Sequence, residues 1–212
     1  MLELHAIPGA PLEVNCYLVA DRAAGEAVLV DAPLQVAEAM TRQAAAWGVR
    51  VTALLCTHGH WDHTMGLPEL LIAFPAPVAV HAGDADLLEH PTFAPFTFPL
   101  TLTPITPDRL LAEGDTVAVG EHILTVLSTP GHTPGSVCFY DAVDALCLTG
   151  DTLFQGTHGR TDFPGGDPEA MGRSLLRLRA LPPDTRICPG HGPATTIARE
   201  GWLAHVEEMD LG

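Results

Sequence analysis

The sequence predicts a mixed α/β chain folded as an αββα sandwich, two β-rich halves with helices on the outside. Three observations carry that expectation. Short β-rich runs alternate with longer stretches of helical spacing. The runs form an early and a later group, each accompanied by helical segments. Polar clusters of Gly, Pro, His and Asp keep falling at the ends of the runs.

Aliphatic residues dominate segments 2–7, 14–20 and 27–30, which read as strands joined by the turns Pro8-Gly9-Ala10-Pro11 and 22–25, a meander. Apolar residues at helical spacing follow over 36–47 and stop at Gly48. The run 51–56 is wholly apolar but for Thr52 and suits a buried strand. A helix over 63–74, a strand over 78–81 and a helix over 82–88 come next, before an irregular proline-rich stretch from Pro91 to Pro107. In the second half, 121–127, 137–140 and 145–148 read as strands, 168–178 as a helix, 185–188 as a strand and 195–209 as a last helix. Internal repeats of the solenoid kind are absent.

Composition narrows the function. Hydrophobic residues make up 47% of the 212 residues and charged residues 17%, enough apolar material for a packed core. The 26 acidic residues against 10 basic ones give a formal charge of -16, which opposes the phosphate attraction behind nucleic-acid binding and excludes that class. All ten basic residues are Arg, so an anionic ligand has no Lys to meet. No segment approaches the length of a membrane span, and the start Met1-Leu2-Glu3-Leu4-His5 lacks the basic and apolar regions of a signal peptide. Five Cys without a C-x-x-C pair lie mostly in apolar runs, as reduced, buried thiols do. The cytoplasm is therefore the expected compartment.

Of 11 His, five stand in short turns beside Asp62 and Asp151, and that clustering asks for metal. In His58-Gly59-His60 the imidazoles are two residues apart and project to one side of an extended strand end, while Asp62 and His63 project differently. Two adjacent sites result. His58, His60 and His132 are expected to hold one ion, Asp62, His63 and His191 a second, and Asp151 to bridge them. The cofactor is two divalent transition-metal ions, zinc first, with iron or manganese also suited to these ligands. His5, His81, His90, His122, His158 and His205 read as ordinary histidines, save that His158 lies in a candidate substrate loop.

Thr57-His58-Gly59-His60-Trp61-Asp62-His63, Gly131-His132-Thr133-Pro134-Gly135-Ser136, Gly150-Asp151-Thr152-Leu153-Phe154 and Pro189-Gly190-His191-Gly192-Pro193 resemble, in order, the motifs of the metallo-β-lactamase superfamily. Within it, Gly159-Arg160-Thr161-Asp162-Phe163-Pro164 makes the chain most similar to small bacterial glyoxalase II-like (hydroxyacylglutathione hydrolase-like) proteins. The resemblance implies the metallo-β-lactamase sandwich and hydrolysis of an acyl- or hydroxyacyl-thioester, with S-lactoylglutathione as reference substrate. Attack by a metal-bridging hydroxide needs no Ser or Cys nucleophile, and Asp62 and Asp151 are the expected catalytic carboxylates.

Full-length glyoxalase II enzymes continue past the last metal-binding His into a helical domain whose basic residues hold glutathione. Here 21 residues follow His191, so residues 1–212 are expected to form one domain without that addition. Arg160 becomes the expected contact for a substrate carboxylate, with a structural ion pair to Asp162 or Asp167 as the competing role. The partner is a small thioester or ester, with monomer and homo-oligomer both open. The chief alternative is a mononuclear iron persulfide dioxygenase, which shares the His cluster and the Gly-Arg-Thr-Asp-Phe stretch. Secreted β-lactamases generally lack a bridging Asp at the Asp151 position, and nucleases carry an extra domain.

Overall fold

In a computed structural model, which describes residues 1–94, 97, 100–209 and 211, the first half builds one six-stranded sheet. Strands β1 (Glu3–Gly9), β2 (Val14–Asp21) and β3 (Glu26–Val30) form the expected antiparallel meander. Helix α1 (Ala37–Trp47) then carries the chain over to β4 (Arg50–Leu55), which pairs parallel with β3. After α2 (Trp61–Thr64) and α3 (Leu67–Ala73) come β5 (Val78–His81), a 3₁₀ turn at Ala82–Asp84, α4 (Ala85–Glu89) and β6 (Arg109–Leu111), so that β3 to β6 run parallel.

The second sheet contains β7 (Thr116–Val119), β8 (His122–Ser128), β9 (Val137–Asp141), β10 (Leu146–Gly150), β13 (Arg186–Pro189) and β14 (Thr195–Thr196), in the order β14-β13-β10-β9-β8-β7. A small hairpin, β11 (Leu153–Phe154) with β12 (Thr157–His158), stands apart from it. Helix α5 (Pro168–Arg179) crosses from β10 to the parallel β13. Its start is written locally: Pro168 occupies the first turn and the Asp167 carboxylate accepts the Ala170 N–H, a cap worth about 1 kcal/mol.

Three apolar layers make this an αββα sandwich. Leu18, Leu29 and Leu54 pack under α1 and α3 with Met40 and Leu70. Val28, Leu55, Leu124, Phe139 and Leu148 fill the space between the sheets. Cys147, Ile187, Leu175 and Leu178 join the second sheet to α5, with Leu203 and Val206 from the C-terminal segment. No helix among the described residues is long and apolar enough to cross a membrane.

Four local expectations need correction. The helix expected over 63–74 is two helices, because at Gly66 the backbone presses against the loop after β3: its N–H donates to Ala32 O at 2.7 Å, and a Cβ there would lie 2.0 Å from Pro33 O. Strands β6 and β7 were not anticipated. Each has only three or four residues and draws its definition from its sheet partner. The β11–β12 hairpin is shorter still. The expected helix over 195–209 is instead β14 followed by 3₁₀ turns at Ile197–Arg199 and Gly201–Glu208. Buried Glu200 pins that tail, accepting from Thr195 Oγ1, Gly156 N and Trp202 Nε1 at 2.5–2.8 Å. Of the irregular stretch expected from Pro91 to Pro107, residues 95–96 and 98–99 lie outside the described residues.

Candidate metal centre

Parallel strands deliver the site. The segment 58–63 follows β4, His132 follows β8, Asp151 follows β10 and His191 follows β13, so both sheets contribute to one rim. Ligands in open α/β sheets gather at such carboxyl ends.

The seven residues singled out from the sequence meet there. His58, His60 and His132 bring ligand atoms within 4.8 Å of one another, and so do Asp62, His63 and His191; His58 and His63 also form such a group with Asp151. Asp151 lies between the two sets: Oδ2 is 3.6 Å from His132 Nε2 and 3.5 Å from His191 Nε2, while Oδ1 is 3.3 Å from His63 Nε2. Asp62 Oδ2 is 3.6 Å from His191 Nε2. Gly190 makes this convergence possible, because a Cβ there would lie 2.3 Å from Asp151 Oδ1 and 2.6 Å from His63 Cε1.

Four of the five imidazoles are fixed through the nitrogen that faces away from the cluster. His132 Nδ1 donates to Arg160 O at 2.7 Å, and His191 Nδ1 to Leu12 O at 3.0 Å. His63 Nδ1 donates to Asp31 Oδ2 at 2.8 Å. Thr57 Oγ1 donates to the same carboxylate, which leaves its lone pair for His58 Nδ1 at 3.1 Å. Outer partners of this kind set the tautomer and aim the other nitrogen at a metal.

The donor set fits cations. His58 Nε2 is buried without a hydrogen-bond partner, a costly state for a polar atom that nothing coordinates, and Asp151 Oδ1 is buried with His63 Nε2 3.3 Å away. His60 Nδ1 faces His132 Nε2 at 2.8 Å, an approach of two lone pairs that only a shared proton or a cation makes favourable. Burial, with His63 and His132 beside it, holds His58 well below the ordinary histidine value, and the same causes, burial then His132, bring His60 to about 4. Burial works against charge on His63 too, but the carboxylates of Asp151, Asp31 and Asp62 outweigh it and raise the value. Burial would likewise lift Asp151 and Asp62, yet His63 first, then His132 for Asp151 and His191 for Asp62, hold both below the usual carboxylate range.

Two positioning residues escaped the sequence reading. Asp31 ends an apolar run just as Asp151 does, so the same strand-end signal would have found it. Asp84 gave no such signal. It is fully buried in the turn after β5, where Oδ2 accepts from Gly59 N and Thr133 Oγ1 and Oδ1 accepts from Gly135 N, each at 2.7 Å.

A cleft of about 230 Å³ opens over the cluster. Arg160 lines it, but its guanidinium makes a forked bond to Asp162, Nε to Oδ1 and Nη2 to Oδ2 at 2.7 Å each, and lies 3.5 Å from the centre of the Phe163 ring. His158 is not among the lining residues. Its Nδ1 bonds Gly159 O, and its ring lies 6.2 Å from that of Trp202.

Comparison with known proteins agrees with this geometry. The family described as the metallo-beta-lactamase superfamily matches residues 9–191. An uncharacterized protein of Aquifex aeolicus is 37% identical over 199 residues, 93% of each chain. The hydroxyacylglutathione hydrolase of Cereibacter sphaeroides is 41% identical over 93% of this chain and 69% of its own. Among solved structures, the B3 metallo-beta-lactamase BLEG-1 superposes with a TM-score of 0.86 at 33% identity, covering 95% of this chain and 99% of its own. A protein crystallised in a di-iron-bound form gives 0.80 at 39% identity, with 92% and 96% covered. ETHE1 from Myxococcus xanthus gives 0.77 at 26%, with 99% and 92% covered.

Proposed function

The chain belongs to the metallo-β-lactamase superfamily, and from that premise we propose that it is a di-metal hydrolase of a small acyl- or hydroxyacyl-thioester. The observation that carries this reading is the convergence of six ligands in two sets on Asp151 beneath a cleft. His58, His60 and His132 would hold one ion, Asp62, His63 and His191 the other, and Asp151 both. Two divalent ions, zinc first with iron or manganese as alternatives, would supply Lewis-acid polarisation of the thioester carbonyl and activation of water near neutral pH. The di-iron-bound neighbour supports the iron alternative.

The chain's own residues do the rest. Asp62 and Asp151 are ionised at neutral pH, so at the cleft floor they accept hydrogen bonds and donate none, which suits holding a water against a carbonyl. The backbone bonds of His132 and His191 keep both rings in place before substrate arrives. Arg160, on the wall, is the candidate for contact with the substrate; His158, bonded to Gly159 O, would support the loop. The five free, buried cysteines suit a reducing cytoplasm.

Metal analysis with a thioester panel tests the reading. About two ions per chain are expected, since seven ligands exceed the needs of one. Replacing Asp151 by Ala should collapse both occupancy and turnover. A single ion, with Asp62, His63 and His191 dispensable, would favour the mononuclear iron persulfide dioxygenase, which oxygen uptake on glutathione persulfide would then establish. The likeness to a B3 metallo-beta-lactamase supports β-lactam hydrolysis as a second reading, and nitrocefin in the same assay decides it.

A further inference from the structure

Three features of the cleft concern charge, and they point the same way. Apart from the ligand residues and from Gly159 and Arg160, its lining among the described residues is apolar, formed by Leu12, Trp61, Ala94, Phe154 and Phe163. Arg160 is the only Arg in the lining among the described residues, and the chain has no Lys. The forked bond to Asp162 leaves that guanidinium paired with an equal and opposite charge through Nε and Nη2, while Phe163 covers one face. Over the whole chain, a formal charge of -16 raises the work of bringing an anion from solution to the mouth.

Resting on the thioesterase reading above, we propose that this cleft selects uncharged thioesters with a small apolar acyl group, carried on a thiol that is itself uncharged. Size agrees with chemistry. A cleft of about 230 Å³ lies below the roughly 300–1,000 Å³ usual for drug-sized ligands, so it takes an acyl group and the first atoms of a thiol rather than a tripeptide. An anionic substrate meets in Arg160 a cation whose charge Asp162 already balances, and the Asp162 carboxylate beside it repels the newcomer.

The test uses metal-loaded protein and N-acetylcysteamine thioesters of propionate, uncharged, and of succinate, anionic at neutral pH, beside S-lactoylglutathione. The propionyl thioester should lead in kcat/KM by about ten- to a hundredfold, the range of one charge-assisted hydrogen bond, with KM carrying the difference. Asp162→Asn should free the Arg160 fork and narrow the gap by lowering KM for the succinyl substrate. Succinyl or S-lactoylglutathione turnover equal to or better than propionyl, or a gap that Asp162→Asn leaves intact, overturns the proposal. Non-hydrolysable ketone analogues of the two cysteamine thioesters, with CH₂ in place of sulfur, separate the two readings by calorimetry. Tighter binding of the uncharged ketone without turnover of any thioester would sink the thioesterase reading and uphold the selection by charge.

Discussion

Asp31 directly follows β3 with a positive φ of 61° and is almost wholly buried, a strained position for a non-glycine residue. Its carboxylate accepts from Thr57 N, Thr57 Oγ1 and His63 Nδ1, so one side chain orients a histidine in each ligand set. The charges around these histidines differ, and a prediction follows at this scale. In the metal-free protein at neutral pH, His63 carries a proton because three carboxylates face it, whereas His58 and His60 are already deprotonated by burial. A cation entering the His58 and His60 set displaces no proton from them. One entering the His63 set must displace the proton of His63, so its affinity rises with pH and it leaves first on acidification. Calorimetric zinc titration in buffers of different ionisation enthalpy should show roughly one or more protons released with the second ion and fewer with the first. Equal release at both steps would contradict the assignment.

Among the elements, Asp84 acts between the sheets. It joins the loop after β4, through Gly59, to the loop after β8, through Thr133 and Gly135, and so fixes His58 and His60 relative to His132. Asp84→Asn keeps the volume but sets an amide donor against a donor. The affinity of the His58, His60 and His132 set should fall about 10–100-fold, as for other outer partners of metal ligands, at a stability cost of about 1–3 kcal/mol. Competition with a chelator reads the first and denaturant unfolding the second; lost stability with unchanged affinity would reduce Asp84 to a structural pin. How far such features were legible depends on where their information resides. The ligand motifs are local, since a strand end, a Gly turn and a His or Asp write themselves within a few residues. The long apolar run of β4 and the capped α5 are local in the same sense. Strands β6 and β7 depend on their neighbours, the break at Gly66 depends on the approach of Pro33, and the 3₁₀ tail depends on Glu200 reaching Gly156, contacts that no window of sequence contains.

For the molecule as a whole, the centre is a cross-link between halves. The first sheet supplies His58, His60, Asp62 and His63, the second supplies His132, Asp151 and His191, and the apolar layer between the sheets lies beneath them. Cations held by both halves bind the folded sandwich and not the open chain, so their binding free energy adds to the stability of the whole. An ion at about a hundred times its dissociation constant contributes roughly 2.7 kcal/mol. At about 2–4 °C per kcal/mol for a chain of this size, chelation should lower the melting temperature by roughly 5–11 °C for each ion removed. Readdition of zinc should restore it. Asp151→Ala, which takes away the ligand common to both sets, should begin near the metal-free temperature and respond little to either treatment. A melting temperature unmoved by chelation, with loss of the ions verified by elemental analysis, would mean that the rim closes without them and that the two sheets are held by the apolar layer alone.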